Sequence, residues 1–291
     1  MAFSLSGLAD FTNEYGAEMV NKMVAAGKTF GYVTIQPGIK TADKINLISS
    51  TVAVAAGSCG WTASGTSTVG QKTLTVTPLQ HQEALCIKDA EKKSLQYLIS
   101  PGSKGDDESF ASRFVAEKSA QLSLYNENYF WTNATYGIVP QLVAVSATTV
   151  SIGSAGTAIS IVNVIGFIDD IKTNIPAAIA TMKPICFVGT DTFDKLVVAL
   201  KNANYFHIDP TVSLDYSIEY LGMTIVGTVG LNGTNKIVCT VKENLYLGTD
   251  LMDENDKFDV WYSRDNNEIR MAAYWKIGQT FLFPDFVVAK Y

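Results

Sequence analysis

The sequence predicts an α+β fold in which one long helix serves as a spine, a central α/β unit follows it, and long antiparallel strands lie before and after. Three observations carry this reading. Residues 106–131, DDESFASRFVAEKSAQLSLYNENYFW, keep helical periodicity without a Pro or Gly. Residues 45–71 hold no charged side chain and run from β-branched residues through a Gly/Ser/Thr-rich tip into an alternating strand. Residues 258–283 read as two strands turned at Arg264-Asp265-Asn266-Asn267.

Taken in order, residues 1–28 read as a short arm with a helical piece, Tyr15, Met19, Met23 and Val24 falling at helical spacing before Gly27. Residues 29–36, TFGYVTIQ, alternate like a strand and end at Pro37-Gly38. The uncharged stretch that follows implies a long two-stranded excursion, with strand character over 45–56, Trp61 at the tip and a return over 71–79. A lone hairpin is marginally stable in water, and uncharged edges invite pairing unless something covers them. Val52, Val54 and Trp61 are therefore expected to meet this chain's own body or a neighbouring copy.

A second helix is expected over 88–100, ending at Pro101-Gly102. The spine, at 1.5 Å per residue, would run roughly 38 Å. Its apolar stripe is Phe110, Ala111, Phe114, Val115, Leu122, Tyr125 and Tyr129, with Ser112, Ala116, Ser119, Ala120, Ser123 and Glu127 opposite. Tyr125 and Tyr129 are expected against the apolar side of 269–283. Lys118 interrupts the stripe, and either its charge snorkels out or it meets a partner's carboxylate. Residues 138–160 read as β-rich with a turn at 153–156, 161–171 as helix, and 184–189 (PICFVG) as a buried strand. Thr190 or Asp191 would cap a helix TFDKLVVALKNA. Residues 217–229 and 236–241 read as strands joined through Leu231-Asn232-Gly233.

With 291 residues and 47% hydrophobic content the chain can bury a large core. Its net charge of −6 and three arginines, Arg113, Arg264 and Arg270, argue against a nucleic-acid-binding protein. Only 17% of residues are charged, below the usual quarter, so much of the surface is expected not to face water. The start, MAFSLSGLADF, shows neither a basic region nor an apolar run, so no export signal is expected and the expected compartment is a cytoplasm. No run between 128 and 168 approaches a membrane span. Cys59, Cys86, Cys186 and Cys239 are too scattered for a zinc site and read as four unrelated reduced thiols.

Catalytic patterns fail in the sequence. A Ser-His or Cys-His pair would need His81 or His207, and both read as structural or solvated. Gly65-Thr66-Ser67-Thr68 is followed by Val69 where a nucleophile elbow needs Gly, and GSAGTA at 153–158 lacks a phosphate-binding Lys. Asp169-Asp170 and Asp253-Glu254-Asn255-Asp256 lack the spacing of a calcium loop. No catalytic residue, cofactor or metal is expected.

In their order these parts resemble the major capsid proteins of tailed double-stranded-DNA bacteriophages, with the Hong Kong 97-type capsid fold. The wording that carries the resemblance is INLISST leading to SCGW, LTVTPLQHQEALCIKD, the PGSK loop, KENLYLGTD, FDVWYSRDNNEIRM and the final FLFPDFVV. The resemblance implies an N-terminal arm over 1–28, an extended hairpin or E-loop over 29–87, and a P-domain with the spine over 88–137. It further implies an A-domain over 138–240 and returning P-domain strands over 241–291. It implies a structural protein that self-assembles into hexamers and pentamers of an icosahedral head enclosing the double-stranded DNA genome, built in the host bacterial cytoplasm and present in the virion. Implied partners are other copies of the chain, a portal protein, and separate scaffolding, maturation protease and decoration proteins. The packaged DNA lies near without specific contact. An N-terminal scaffolding segment is expected to be absent. Candidate intersubunit contacts on the E-loop are Val52, Val54, Trp61, Val69 and Lys72. Two alternatives stand beside this reading: an encapsulin-like bacterial nanocompartment shell, and an α/β hydrolase-like enzyme using His207 or His81.

Overall fold

The computed structural model describes residues 27–54, 56–57, 59–60, 65–86, 107–145, 150–152, 156–203, 215–250, 258–266 and 268–291. The expected helices within 1–26 and 88–100, the turn residues 153–155, His207 and the acidic run 253–256 lie outside them. So does Trp61.

The chain enters through a 3-10 turn, Lys28–Tyr32, where the sequence reads as strand. Adjacent Thr29 and Phe30 are both buried, and Val33 follows them inward; a strand sends neighbours to opposite faces, whereas a tight helical turn can bring them to one side. Strands β1 (Thr34–Gln36), β2 (Ala42–Thr51), β3 (Thr66–Thr75) and β4 (Thr77–Cys86) come next. The expected single strand over 71–79 is divided at Val76, whose N–H leaves the ladder to donate to Thr41 O at 3.0 Å.

The spine is α1 (Asp107–Thr132), followed by α2 (Ile138–Ala144) where β structure is expected. Ile138, Val139 and Leu142 are all buried, a helical spacing that overrides their β-branched preference. After the short β5 (Val150–Ser151) come α3 (Val164–Thr173), α4 (Ala177–Ala180), β6 (Ile185–Gly189) and α5 (Thr190–Asn202). The expected side-chain cap of α5 comes from elsewhere in the chain. Asn232 Oδ1 accepts the Asp191 N–H at 3.0 Å and the Thr190 hydroxyl at 2.6 Å.

The C-terminal third contributes β7 (Ser217–Tyr220), β8 (Met223–Thr228), β9 (Ile237–Thr240), β10 (Leu245–Thr249), β11 (Phe258–Ser263), β12 (Glu268–Phe281) and β13 (Val288–Lys290). The expected strand over 217–229 is a hairpin, turned at Leu221-Gly222, both with positive φ. Strands β8 and β9 are not partners: β6 runs between them, parallel to β8 and antiparallel to β9, in a sheet ordered β5-β13-β9-β6-β8-β7. One face of that sheet packs on α3 and α5 through Val188, Ile225, Ile237, Phe193 and Leu196. On this face Cys186 and Cys239 stand opposite each other in register, so these two thiols are neighbours and not unrelated. The hydrogen bond with Cys239, and then burial, push the Cys186 thiol well above the usual range.

The second sheet is centred on β12. Strand β4 pairs along one edge, from Glu268↔Cys86 to Ile277↔Thr77, while β11 and then β10 share the other edge, with β1 beyond β10. The expected β11–β12 hairpin is present as read. Met271, Ala273, Trp275, Ile277 and Phe281 point from β12 into a core completed by α1, α2 and the other face of the first sheet. Trp131 joins the two sheets, its ring 5.0 Å from that of Phe187 on β6.

In its described part the spine buries Leu122 and Tyr129 of the expected stripe, but with Ser123 and Glu127 in place of Tyr125. Side chains of residues 107–115 lie outside the description; beyond them Leu122, Ser123, Asn126, Glu127, Tyr129 and Phe130 are buried. Tyr125 is 50% exposed and Tyr129 only 7%, so Tyr129 packs inward as expected and Tyr125 does not. The reason is that the polar pair Asn126–Glu127 has partners inside. Glu127 Oε1 accepts the Thr29 N–H at 3.0 Å and the Thr29 hydroxyl at 2.6 Å, and Thr29 Oγ1 accepts the Trp131 indole N–H at 2.9 Å. The Trp275 indole donates to Asn126 Oδ1 at 3.0 Å. Buried polar groups so satisfied take the positions that apolar ones would otherwise hold.

Candidate assembly interface

Strands β2 and β3 form a two-stranded sheet of their own, paired from Ala42↔Thr75 to Thr51↔Thr66. Paired residues share a face, so one face presents Lys44, Asn46, Ile48 and Ser50 with Thr73, Gln71, Val69 and Ser67. The other presents Ile45, Leu47, Ser49 and Thr51 with Lys72, Gly70, Thr68 and Thr66. Only the base of the second face is covered: Leu74 is buried, and Ile45, Leu47 and Lys72 are half-buried.

The large aliphatic side chains described farther out are exposed. Ile48 is 69% exposed and its cross-strand partner Val69 is 74% exposed. Val52 and Val54, near the far end, are 86% and 93% exposed. Four large aliphatic side chains within the uncharged stretch 45–71 form an apolar surface that water does not favour. Thus the described candidates Val52, Val54 and Val69 lie on one exposed projection. Lys72 lies at its base, half-buried, with its ammonium 5.4 Å from the Phe281 ring centre of its own chain. Ile48 belongs with the candidates, and its place opposite Val69 follows from the hairpin register.

The root of the hairpin crosses the β12 sheet at a defined place. Gly248 on β10 and Gly278 on β12 are register partners, and the chain at 39–41 and 74–76 passes directly over them. A Cβ at Gly278 would come within 2.1 Å of Thr75 O, and one at Gly248 within 3.0 Å of Ile39 and Leu74 side-chain carbons. The Ile39 N–H donates to Thr249 O at 3.1 Å, and the Lys276 ammonium donates to Lys40 O at 2.8 Å while pairing with Asp250 at 2.6 Å.

Beside the root, the face of the β12 sheet turned away from α1 carries exposed Tyr274 and Trp261 over shallow grooves lined by β4 and β12. The spacing of the aromatics in 258–283 reads as core packing, and Trp261 and Tyr274 depart from it, because alternation marks a face without saying which face is covered. His81 lies on the opposite, spine-facing side of β4, its Nε2 3.3 Å from Glu83 Oε2. Among the described residues no His, Cys, Asp and Glu group could hold a metal ion, and no helix is long and apolar enough to cross a membrane.

No family model and no curated protein matches the sequence. Solved structures do match its fold. The capsid of cyanophage P-SCSP1u superposes with a TM-score of 0.56 at 12% identity, covering 89% of this chain and 86% of that one. The procapsid of satellite phage P4, solved with its size determination protein, gives 0.59 at 11% identity over 94% and 89%. The fold is the Hong Kong 97-type capsid fold. A virus-like particle from Pyrococcus furiosus shares it at 0.54 and 10% identity, over 96% and 98% of the two chains.

Proposed function

We propose that this chain is the major capsid protein of a tailed double-stranded-DNA phage, a structural subunit that self-assembles into the hexamers and pentamers of an icosahedral head. The observation that carries the reading is the β2–β3 ribbon: Ile48, Val52, Val54 and Val69, each at least 69% exposed in the single subunit, are gathered on one projection. A second copy is the natural cover, because repeated heterologous contact between identical subunits closes into rings and shells. The shared fold with phage capsids supports the same conclusion and favours it over a compartment shell packing an enzyme.

In this reading Val52, Val54, Trp61 and Val69 contact a neighbouring subunit and Lys72 steadies the root of the ribbon. His81 is structural, held by Glu83. The head encloses the genome without sequence-specific contact, in keeping with the net charge of −6. Portal, scaffold, protease and decoration proteins are the expected companions during assembly in the host bacterial cytoplasm and in the virion. Expression of the full chain, alone and with its neighbouring genes, followed by electron microscopy, tests the proposal. Closed shells or capsomers are expected; a protein that stays monomeric under every such condition would overturn it.

A further inference from the structure

The exposed ribbon can meet a neighbour only if it leaves the body in a fixed direction, and the contact that holds it there is made by two glycines. We propose that the facing pair Gly248 and Gly278 is the positioning element that sets the direction of the β2–β3 ribbon and, resting on the capsid reading, the ability of the subunit to assemble into regular shells.

Neither residue is among the glycines with positive φ, so no backbone conformation demands glycine at these positions. The demand is for space. At Gly278 the obstacle is the backbone of Thr75 and Val76, with Thr75 O 2.1 Å and Val76 Cα 2.9 Å from a built Cβ. Backbone cannot rotate aside as a side chain can, so an added methyl must lift the ribbon root or displace β12. At Gly248 the obstacles are the side-chain ends of Ile39 and Leu74 at 3.0 Å, which can give by a few tenths of an ångström. The two positions are therefore unequal: Gly278 is the hard stop and Gly248 the soft one. The crossing is also pinned where it passes, since Leu74 is fully buried and the Val76 N–H, Ile39 N–H and Lys276 ammonium are all bonded around it.

The test reads the direction of the ribbon before it reads assembly. Cys59, exposed near the far end of the ribbon, takes one spin label, and Val198→Cys on α5 takes the other, in a Cys86→Ser background; Cys186 and Cys239 are buried and stay unlabelled. Labelled full-length chain is diluted into unlabelled chain of the same sequence, and the distance distribution is measured by pulsed electron resonance. Gly278→Ala is expected to shift or broaden the distance by about 5 Å, one strand spacing, while Gly248→Ala leaves it near that of the parent chain. In parallel, Gly278→Ala is expected to lose most of the regular shells seen by electron microscopy.

An unchanged distance in folded Gly278→Ala overturns the proposal. Should that variant fail to fold, Gly248→Val, which forces Leu74 further aside, carries the same expectation and the same overturning result. A shifted distance with normal shells overturns the link to assembly. Absence of shells from the parent chain would instead count against the capsid reading and would leave the distance measurement valid.

Discussion

Glu83 on β4 and Lys118 on α1 meet at 2.7 Å, tying the strand that leaves the ribbon to the spine. The lysine that interrupts the expected apolar stripe thus finds a carboxylate in its own chain, and His81 reaches the same carboxylate at 3.3 Å. Burial pushes the Glu83 carboxyl up, but the hydrogen bond and charge of Lys118, helped by His81, outweigh it and hold the group below its ordinary value. A carboxyl lowered on folding stabilises the protein above its unfolded pKa, and the stabilisation fades as pH falls through the folded one. Glu83→Gln is expected to lower stability at neutral pH by up to about 1 kcal/mol, the ceiling for a partly solvated pair. The gap from the parent chain should close below about pH 4, near the usual glutamate value. Urea unfolding from neutral to acid pH checks this, and a gap independent of pH would show that the pair contributes nothing.

Thr29 is the second place where one residue holds two elements together. Its hydroxyl donates to buried Glu127 and accepts from the Trp131 indole. Thr29→Val keeps the shape and strips both bonds, leaving a buried carboxylate with one donor fewer and an indole N–H without this acceptor. The expected loss is about 2–4 kcal/mol, more than a neutral hydrogen bond costs because one group is a carboxylate. Chemical denaturation reads it, and a loss under about 0.5 kcal/mol, the scale of an ordinary surface change, would contradict the network.

The ribbon makes the opposite prediction. Ile48→Lys and Val54→Asp alter side chains that touch little of their own subunit, so subunit stability should change by no more than about 0.5 kcal/mol. Assembly should fall sharply, since each variant would place a charge in the proposed intersubunit contact. Calorimetry of the subunit against sedimentation of particles separates the two effects. Parallel loss of both would remove the ribbon from the interface.

Lys290 offers a prediction on the alkaline side. It is buried, its ammonium donating to Thr157 O at 2.9 Å and Asn235 O at 3.3 Å and lying 4.8 Å from the centre of the Phe167 ring. Burial first, then the neighbouring charge of Lys236, lowers its pKa. Between that lowered value and the usual lysine value the unfolded chain binds more protons, so this component of stability rises with pH. Lys290→Met should remove the rise, seen as a flatter stability profile as pH climbs toward the usual lysine value of about 10.4. Identical slopes in both proteins would refute it.

Much of this was legible in residue patterns. The spine, α5, the β11–β12 hairpin and the ribbon each carry a period or an absence of charge that local physics reads directly. The buried side of the spine was not, because Asn126 and Glu127 are admitted to the core by Trp275 and Thr29, which lie 149 and 98 residues away. Helix α2 was hidden by β-branched residues whose tertiary burial decided their state. The β8–β9 pairing failed because β6 enters between them, a long-range choice that no turn sequence records. Of the candidate interface, exposure at Val52, Val54 and Val69 was foreseeable from missing charge. The glycine crossing was not, since nothing in an isolated glycine says what backbone will pass over it.

That crossing also fixes an angular tolerance. The hairpin has ten register pairs, which at about 3.4 Å per residue carry its far end about 34 Å from the root, so a tilt of about 10° there displaces the end by about 6 Å. This exceeds the spacing of about 4.8 Å between paired strands, a displacement of one whole strand at the far end. The ribbon is a lever, and the fulcrum is the missing side chain of Gly278.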